Sequence, residues 1–322
     1  MNSKVTIAIP TLNRATYLKI ALDSALSQTY RDLEIVVSNN ASADGTATLL
    51  TSISDPRLRV IEQKSTLGMM ENWNACLSMA SGKYFLLLSD DDILEPAAIE
   101  EMVNAFEDSE RHGDKIGFVY CNGRIIDQDG ITQSVGKDVP SVESARRLIV
   151  SFLDGRRNLW PCAILFRKVD LSPGYDTRLP LAADAAQWMR VAATYGTARF
   201  VSQRLARYRV HQNASMKTRA DIWRRENSAL GNFAIEELQK SGEPGEEVAR
   251  EIRKAVRRLN ARITFENINH SLRHEKRQAL VEYWKNREAF AGFSGLTILA
   301  KGIFLMMLPD FFRAWVRRRL YS

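Results

Sequence analysis

Asp90, Asp91 and Asp92 stand side by side at the end of the apolar run Tyr84-Phe85-Leu86-Leu87-Leu88. Three carboxylates in a row repel one another, and each raises its neighbours' pKa unless a positive charge neutralises the group. A divalent metal carrying a diphosphate meets that need. Mg²⁺ takes one or two protein carboxylates plus substrate phosphate oxygens, and Mn²⁺ accepts the same oxygen ligands. The plainer reading of these residues is a polar strand-to-helix turn in which Asp92 caps a helix over 93–106.

The hydrophobic pattern supplies a scaffold for such a cluster. Residues 5–9 read as a buried strand, and Leu18, Ala21, Leu22, Ala25 and Leu26 recur at helical spacing within 17–28. Strands over 33–38, 58–62 and 84–89 alternate with helices over 45–53 and 70–80. Alternation of this kind predicts an α/β fold with a Rossmann-like, mostly parallel central sheet covered by helices on both faces. Ligands of such sheets sit at the carboxyl ends of the strands. Three polar segments fall there: Pro10-Thr11-Leu12-Asn13-Arg14, Asn39-Asn40-Ala41-Ser42, and the aspartates.

After Asp92 the alternation weakens. A helix is expected over 96–106, strands over 117–121 and 123–126, a helix over 142–153, a strand over 162–167 and a helix over 185–195. This half is expected to add mixed-direction strands and an acceptor-facing wall. From 220 to 291 the pattern is helical and highly charged, and Gly242-Glu243-Pro244-Gly245 marks a break between two helices. The chain is therefore divided into a catalytic domain over 1–219, a C-terminal helical region over 220–292, and an apolar and basic segment over 293–322.

With 322 residues, 45% hydrophobic and 26% charged, the chain has the makeup of an ordinary globular protein. Cys76, Cys121 and Cys162 show no C-x-x-C pairing, which points to a reducing compartment rather than to a disulfide framework or a zinc knot. The N-terminus runs straight into a strand pattern, so no secretory signal is expected and the location is expected to be cytoplasmic. A net charge of +7 suits an anionic partner. The basic runs Arg224-Arg225, Arg257-Arg258 and Arg317-Arg318-Arg319 lie beside no RNA-binding aromatic motif and no zinc-finger spacing, so nucleic acid is not an expected partner.

Two familiar phosphate cradles are absent. No G-x-G-x-x-G follows a strand, and Gly82-Lys83 lacks the rest of a P-loop. What remains is an ordered set of motifs: Ile9 to Arg14, Val36 to Thr46, Gly82-Lys83-Tyr84, Leu88 to Leu94, Leu165-Phe166-Arg167, Ala183 to Arg190, and Tyr208-Arg209-Val210-His211-Gln212-Asn213. In that order and spacing the chain resembles glycosyltransferase family 2, the inverting nucleotide-sugar enzymes with the GT-A fold. The resemblance covers roughly the first two thirds of the sequence.

It implies a nucleoside diphosphate sugar donor, an Mn²⁺ or Mg²⁺ cofactor and a hydroxyl acceptor. Pro10, Thr11 and Asn13 fall in the loop that meets the nucleotide, and Asn39 stands where the family often has a base-contacting Asp. An Asn oxygen still accepts from a pyrimidine N–H, so the pocket survives while the base becomes open. Asp91 matches the metal-binding carboxylate and Asp90 the position beside it, near ribose and diphosphate. Ser89 replaces the first aspartate of the D-x-D pattern, leaving Asp90 or Asp92 as the second anion. His211 matches a downstream histidine that approaches metal or diphosphate. Asp184 is the implied base that takes the acceptor's proton, with a helix N-cap as its alternative role. Asp44 and Thr46 read as turn and cap residues. Trp160 and Trp188 are either sugar-stacking or core residues, Arg190 either pairs with Asp184 or faces solvent, and His270 with His274 is too sparse a pair for a metal site.

Residues 293–308 are nearly all apolar, yet as a helix they reach only about 24 Å, short of the roughly 30 Å hydrocarbon slab. Joined to the arginines beyond them, they suit a helix lying on an anionic cytoplasmic membrane surface, close to a lipid-linked acceptor. The alternative is a helix packed on the catalytic domain. Two other functions fit parts of the pattern: a sugar nucleotidyltransferase, whose Gly-rich first loop is replaced here by Pro10-Thr11-Leu12-Asn13, and a non-catalytic nucleotide-sugar-binding protein at the membrane.

Overall fold

The computed structural model describes residues 3–179, 181–211 and 220–274. Its centre is one mixed sheet of ten strands in the order β3 (Leu58–Glu62), β2 (Leu33–Asn39), β1 (Val5–Thr11), β4 (Tyr84–Leu87), β9 (Ile164–Arg167), β6 (Phe118–Ile126), β10 (Thr197–Arg209), β5 (Ile93–Leu94), with β7 (Thr132–Val135) on β6 and β8 (Val142–Ser144) on β10. The first half follows the expected alternation: β1 (Val5–Thr11), α1 (Ala15–Leu26), β2 (Leu33–Asn39), α2 (Thr46–Thr51), β3 (Leu58–Glu62), α3 (Met69–Met79) and β4 (Tyr84–Leu87). These four strands run parallel, with Val5 to Thr11 registered against Leu33 to Asn39 and Val5 to Ala8 against Tyr84 to Leu87.

The chain leaves β1 toward β2 and β3, then crosses back to place β4 on the other side of β1. That reversal opens a crevice at the carboxyl ends of β1 and β4. Side chains alternate between two apolar layers, as a pleated strand requires. Val5, Ile7, Ile9, Leu86 and Leu88 pack in one layer with α1 and with α4 (Ala98–Arg111); Ala8, Phe85 and Leu87 pack in the other with α3.

The second half departs from the expectation in four places. A short β5 (Ile93–Leu94) precedes α4, so the aspartates lead into a strand pairing rather than directly into a helix. The two strands expected over 117–126 are one continuous β6 (Phe118–Ile126), followed by β7 (Thr132–Val135). The helix expected from 142 begins as β8 (Val142–Ser144), after which Ser144 caps α5 (Ala145–Leu153) by accepting from the Arg147 N–H. After β9 (Ile164–Arg167) and α6 (Ala183–Tyr195) comes the thirteen-residue β10 (Thr197–Arg209), for which the hydrophobic pattern gave no strand. Arg199, Arg204, Arg207 and Arg209 interrupt its apolar alternation, and register shifts between Val201 and Ala206 break its period.

The helical region forms α7 (Ala220–Lys240) and α8 (Gly245–His274), broken where the Gly-Glu-Pro-Gly sequence predicted. It is not a separate unit. Leu230, Ala234 and Leu238 from α7 and Val248, Ile252 and Ala255 from α8 are buried in the same cluster as Trp188, Phe118 and Ile149. Arg146 on α5 pairs with Glu243, Glu247 and Glu251, fixing α8 against the sheet's helical layer. Residues 293–322 lie outside the described residues, as do the side chains of His270 and His274. Among the described residues no helix is long and apolar enough to cross a membrane.

Candidate active site

A cleft of about 350 Å³ opens at the carboxyl ends of β1 and β4. Its lining includes Thr11, Arg14, Asp90, Asp91, Asp184 and Arg209. The acidic cluster is bound into a network from two directions. Thr11 Oγ1 donates to Asp90 Oδ2 at 2.8 Å, and Arg14 Nη1 reaches Asp90 Oδ1 at 3.1 Å and Asp91 Oδ2 at 2.9 Å. His211 Nε2 lies 2.9 Å from the same Asp91 Oδ2, with its ring against Tyr17. Burial and the neighbouring Asp91 charge push the Asp90 carboxyl up to about 6 against the opposing pull of Arg14.

Asp92 takes a different course. Its N–H donates to Ser89 O, and this turn swings its carboxylate away from the cleft into full burial. There Oδ1 accepts the Arg209 N–H at 2.8 Å, tying the acidic turn to β10. Burial, reinforced by Asp91, holds its pKa well above the carboxylate range. The reading of Asp92 as helix cap is corrected, since α4 starts only at Ala98 with Ala97 at its N-cap, and the expectation of Asp92 as second metal ligand meets a fully buried carboxylate that does not line the cleft. Asp90 is the anion that shares the cleft with Asp91.

Arg209 and Arg14 were quoted in the sequence motifs without a role, and the structure gives each one. Arg209, almost fully buried, donates from Nε to Asp91 O and from Nη1 to Asp127 O and Gln128 O, with its guanidinium over the Tyr17 ring. It fixes the backbone on which Asp91 stands. Arg14 brings positive charge directly to the two cleft carboxylates. The signal that could have found them is an arginine at the end of a strand facing an acidic turn, since a like-charge cluster needs a counter-ion.

The nucleotide-loop residues are placed unequally. Pro10 and Thr11 line the cleft. Asn13 adopts a positive φ of 54°, donates its N–H to Ser42 Oγ and accepts the Ala43 N–H on Oδ1, so it joins the first two loops at their rim. Asn39 is buried with both ends engaged: Nδ2 donates to Glu62 and Oδ1 accepts the Ser42 N–H. A base contact through Asn39 requires one of these bonds to be exchanged. Asn40, not singled out in the sequence, lines the cleft and exchanges two hydrogen bonds with the Leu67 backbone. Asp44 accepts from the Ala15 N–H and from Thr46, serving two helix starts as the turn-and-cap reading expected.

Asp184 comes to the cleft from α6. Ala182, not Asp184, occupies the N-cap position, and Asp184 sits within the first turn. The helix dipole favours a negative charge there. Desolvation opposes it and raises the carboxyl to about 6. The segment before α6 is steadied by the helical region, where Glu226 of α7 accepts the Leu181 N–H at 2.8 Å. Trp223, from the same helix, lines the cleft. Trp188 is fully buried in the core, and Trp160 stacks on Tyr208. Arg190 bonds Ser172 O and Asp170 O, and so neither pairs with Asp184 nor hangs in solvent.

Among the described residues no three or more His, Cys, Asp or Glu side chains converge as a metal cage. A dication that also binds phosphate oxygens does not need one. Asp91 Oδ2 and His211 Nε2, 2.9 Å apart as hydrogen-bond partners, are the oxygen and nitrogen donors that would hold such an ion.

The fold and the ordered motifs have a counterpart among known proteins. The sequence profile of glycosyl transferase family 2 matches residues 6–172, just over half of the chain, and the chain belongs to this family. An uncharacterised glycosyltransferase of Rickettsia typhi is 32% identical over 224 residues, covering 66% of this chain and 66% of the relative. The chondroitin synthase of Pasteurella multocida is 28% identical over 190 residues, 58% of this chain but only 19% of that much longer protein. Among solved structures, residues 1–349 of S. aureus TarS in complex with UDP-GlcNAc superpose with a TM-score of 0.64 at 16% identity, over 87% of this chain and 78% of that one. The Pyrobaculum calidifontis mannosyltransferase PcManGT, in complex with GDP-Man and Mn²⁺, gives 0.57 at 17% identity, over 100% and 85%. These likenesses establish the GT-A fold.

Proposed function

We propose that this chain is an inverting, metal-dependent glycosyltransferase that moves a sugar from a nucleoside diphosphate to a hydroxyl acceptor. One observation carries the reading: Asp90 and Asp91, with His211 on Asp91, share a single cleft with Asp184, which comes from a separate element. Inversion needs one group that takes the acceptor's proton and another, across the sugar, that receives the leaving charge. Asp184, raised to about 6, is largely ionised at neutral pH yet basic enough to accept a proton. Asp91 and His211 would hold the dication, which when bound neutralises charge on the departing diphosphate. Thr11 and Arg14 orient Asp90 beside it.

The donor class draws support from the nucleotide-sugar complexes of the two solved GT-A structures, and a glycan acceptor from the named synthases among the relatives. With Asn39 engaged by Glu62, selection of the base falls to other atoms of the loops. A lipid-linked oligosaccharide of a bacterial surface polysaccharide, met at the inner face of the membrane, fits the apolar and basic sequence of 293–322. Liposome flotation with and without 293–322 tests that part, and equal flotation would remove it.

The test of donor and cofactor is a thermal-shift screen of UDP, GDP, CDP and dTDP with and without Mn²⁺, since a native ligand stabilises the folded state by mass action. One nucleotide raising the Tm only when Mn²⁺ is present is the expected result. No shift with any pair would sink the reading. The anomeric configuration of the product, read by NMR, tests inversion separately.

A further inference from the structure

Asp91 Oδ2 accepts twice, from Arg14 Nη1 and from His211 Nε2, each at 2.9 Å. The same Arg14 nitrogen also reaches Asp90 Oδ1 at 3.1 Å, so one guanidinium group lies between the two carboxylates. A carboxylate oxygen offers two lone pairs, and on Oδ2 both are taken. The two partners differ in what they can become. Imidazole can turn the same Nε2 into a metal ligand. A guanidinium remains protonated and has no lone pair to give. A dication bound to Asp91 and His211 would take the lone pair that His211 gives up and would stand against the Arg14 guanidinium on the same oxygen, positive charge beside positive charge.

From this asymmetry we propose that Arg14 is an exchangeable counter-ion, which holds Asp90 and Asp91 together, gives up Asp91 to the arriving dication, and turns to the diphosphate. The proposal rests on the metal-dependent reading above and adds a consequence to it. With Arg14 in place, a dication alone puts three positive charges beside two carboxylates; the diphosphate restores the balance. Arg14 should therefore disfavour metal by itself and favour metal and nucleotide together. Its planar fork matches phosphate oxygens. It lines the cleft and is about a quarter exposed, 27% by side chain.

The experiment measures Mn²⁺ binding by EPR to the full chain as wild type, Arg14→Gln and Arg14→Lys, each with and without inorganic pyrophosphate. Losing charge-assisted bonds that must otherwise be broken, Arg14→Gln should bind Mn²⁺ alone about tenfold more tightly than wild type. Pyrophosphate should tighten Mn²⁺ less in Arg14→Gln than in wild type, and Arg14→Lys, which keeps the charge, should stay near wild type without pyrophosphate. A merely structural Arg14 would move metal affinity down or not at all. If Arg14→Gln binds Mn²⁺ no better than wild type, the counter-ion proposal falls while the metal reading stands. If none of the three proteins binds Mn²⁺ even with pyrophosphate, the metal reading falls and takes the proposal with it. Should Arg14→Gln not fold, the wild-type guanidinium ¹⁵N signal that is missing from Arg14→Lys replaces it: a shift on adding Mg²⁺ alone is expected, and an unmoved signal overturns the exchange.

Discussion

His211 Nε2 and Asp91 Oδ2 stand 2.9 Å apart although 120 residues separate them in the chain. The contact joins the end of β10 to the turn after β4, two segments that the sheet order does not make neighbours. His211→Ala should raise the Mn²⁺ concentration needed for half-maximal transfer about 10- to 100-fold, the usual cost of losing a group that holds or orients a metal ligand. Asp91→Asn should remove Mn²⁺-dependent transfer altogether. A metal titration of the transfer rate reads both; an unchanged midpoint in His211→Ala would exclude His211 from the site.

As the proposed base, Asp184 would link activity to stability through one carboxyl. Its folded pKa of about 6 lies above the ordinary aspartate value. Transfer should therefore rise with pH through about 6 as the base ionises. The linkage has the opposite sign for folding: the folded state binds the proton more tightly, so this group's contribution falls as pH rises from about 4 to about 6 and stays low above. Asp184→Asn should lose about 10²- to 10⁴-fold in kcat, yet be more stable at pH 7 by about 1–3 kcal/mol. A pH–rate profile and a urea titration check the pair. Undiminished transfer would end the base assignment.

Glu34 carries the reverse case at the other end of the sheet. It is buried within β2 and accepts from Thr6 Oγ1, the Ser81 N–H, Ser81 Oγ and Lys4. Although burial alone would raise its pKa, these bonds outweigh it and bring the carboxyl down to about 2. The stability it confers is present above the unfolded value near 4.5 and is lost as pH falls toward 2. Glu34→Gln should destabilise by about 1–3 kcal/mol at pH 7 and flatten the acid limb of the stability curve. Calorimetry between pH 2 and 7 measures it.

Glu226 should matter to catalysis from outside the cleft. Removing its carboxylate orphans the Leu181 N–H three residues before Asp184. Small displacements of a reacting group cost rate steeply, so Glu226→Ala should lower kcat about tenfold while leaving the donor KM near wild type. A drop confined to donor KM would contradict a positioning role.

How far these arrangements could be read in advance depended on the residue. β1, β2 and β4 were legible because buried, mostly apolar runs such as Ile35-Val36-Val37 have one reading in a buried parallel sheet. β10 was not, because its arginines serve ion pairs and the acidic turn rather than a solvent face: Arg207 binds Glu95 and Arg209 binds Asp91. Asp90, Asp91 and Asp184, which line one cleft, were singled out from charge and motif order. That Asp92 turns inward could not be read, since three identical residues give no hint of which way a turn will rotate them. Arg14 was hidden in plain view, because an arginine after a strand is usually a solvated end.

The family profile ends at residue 172, but the cleft does not. Asp184, Arg209 and His211 all lie beyond that limit, and β10, on which Arg209 stands, is an interior strand hydrogen-bonded to β6 and β5. The N-terminal and C-terminal halves of the cleft are thus cut from a single sheet rather than bolted together as modules. Changes confined to α6, α7 and the loops they hold leave that sheet intact. Grafting one relative's C-terminal half onto another's N-terminal half would instead tear a strand from the middle of the sheet.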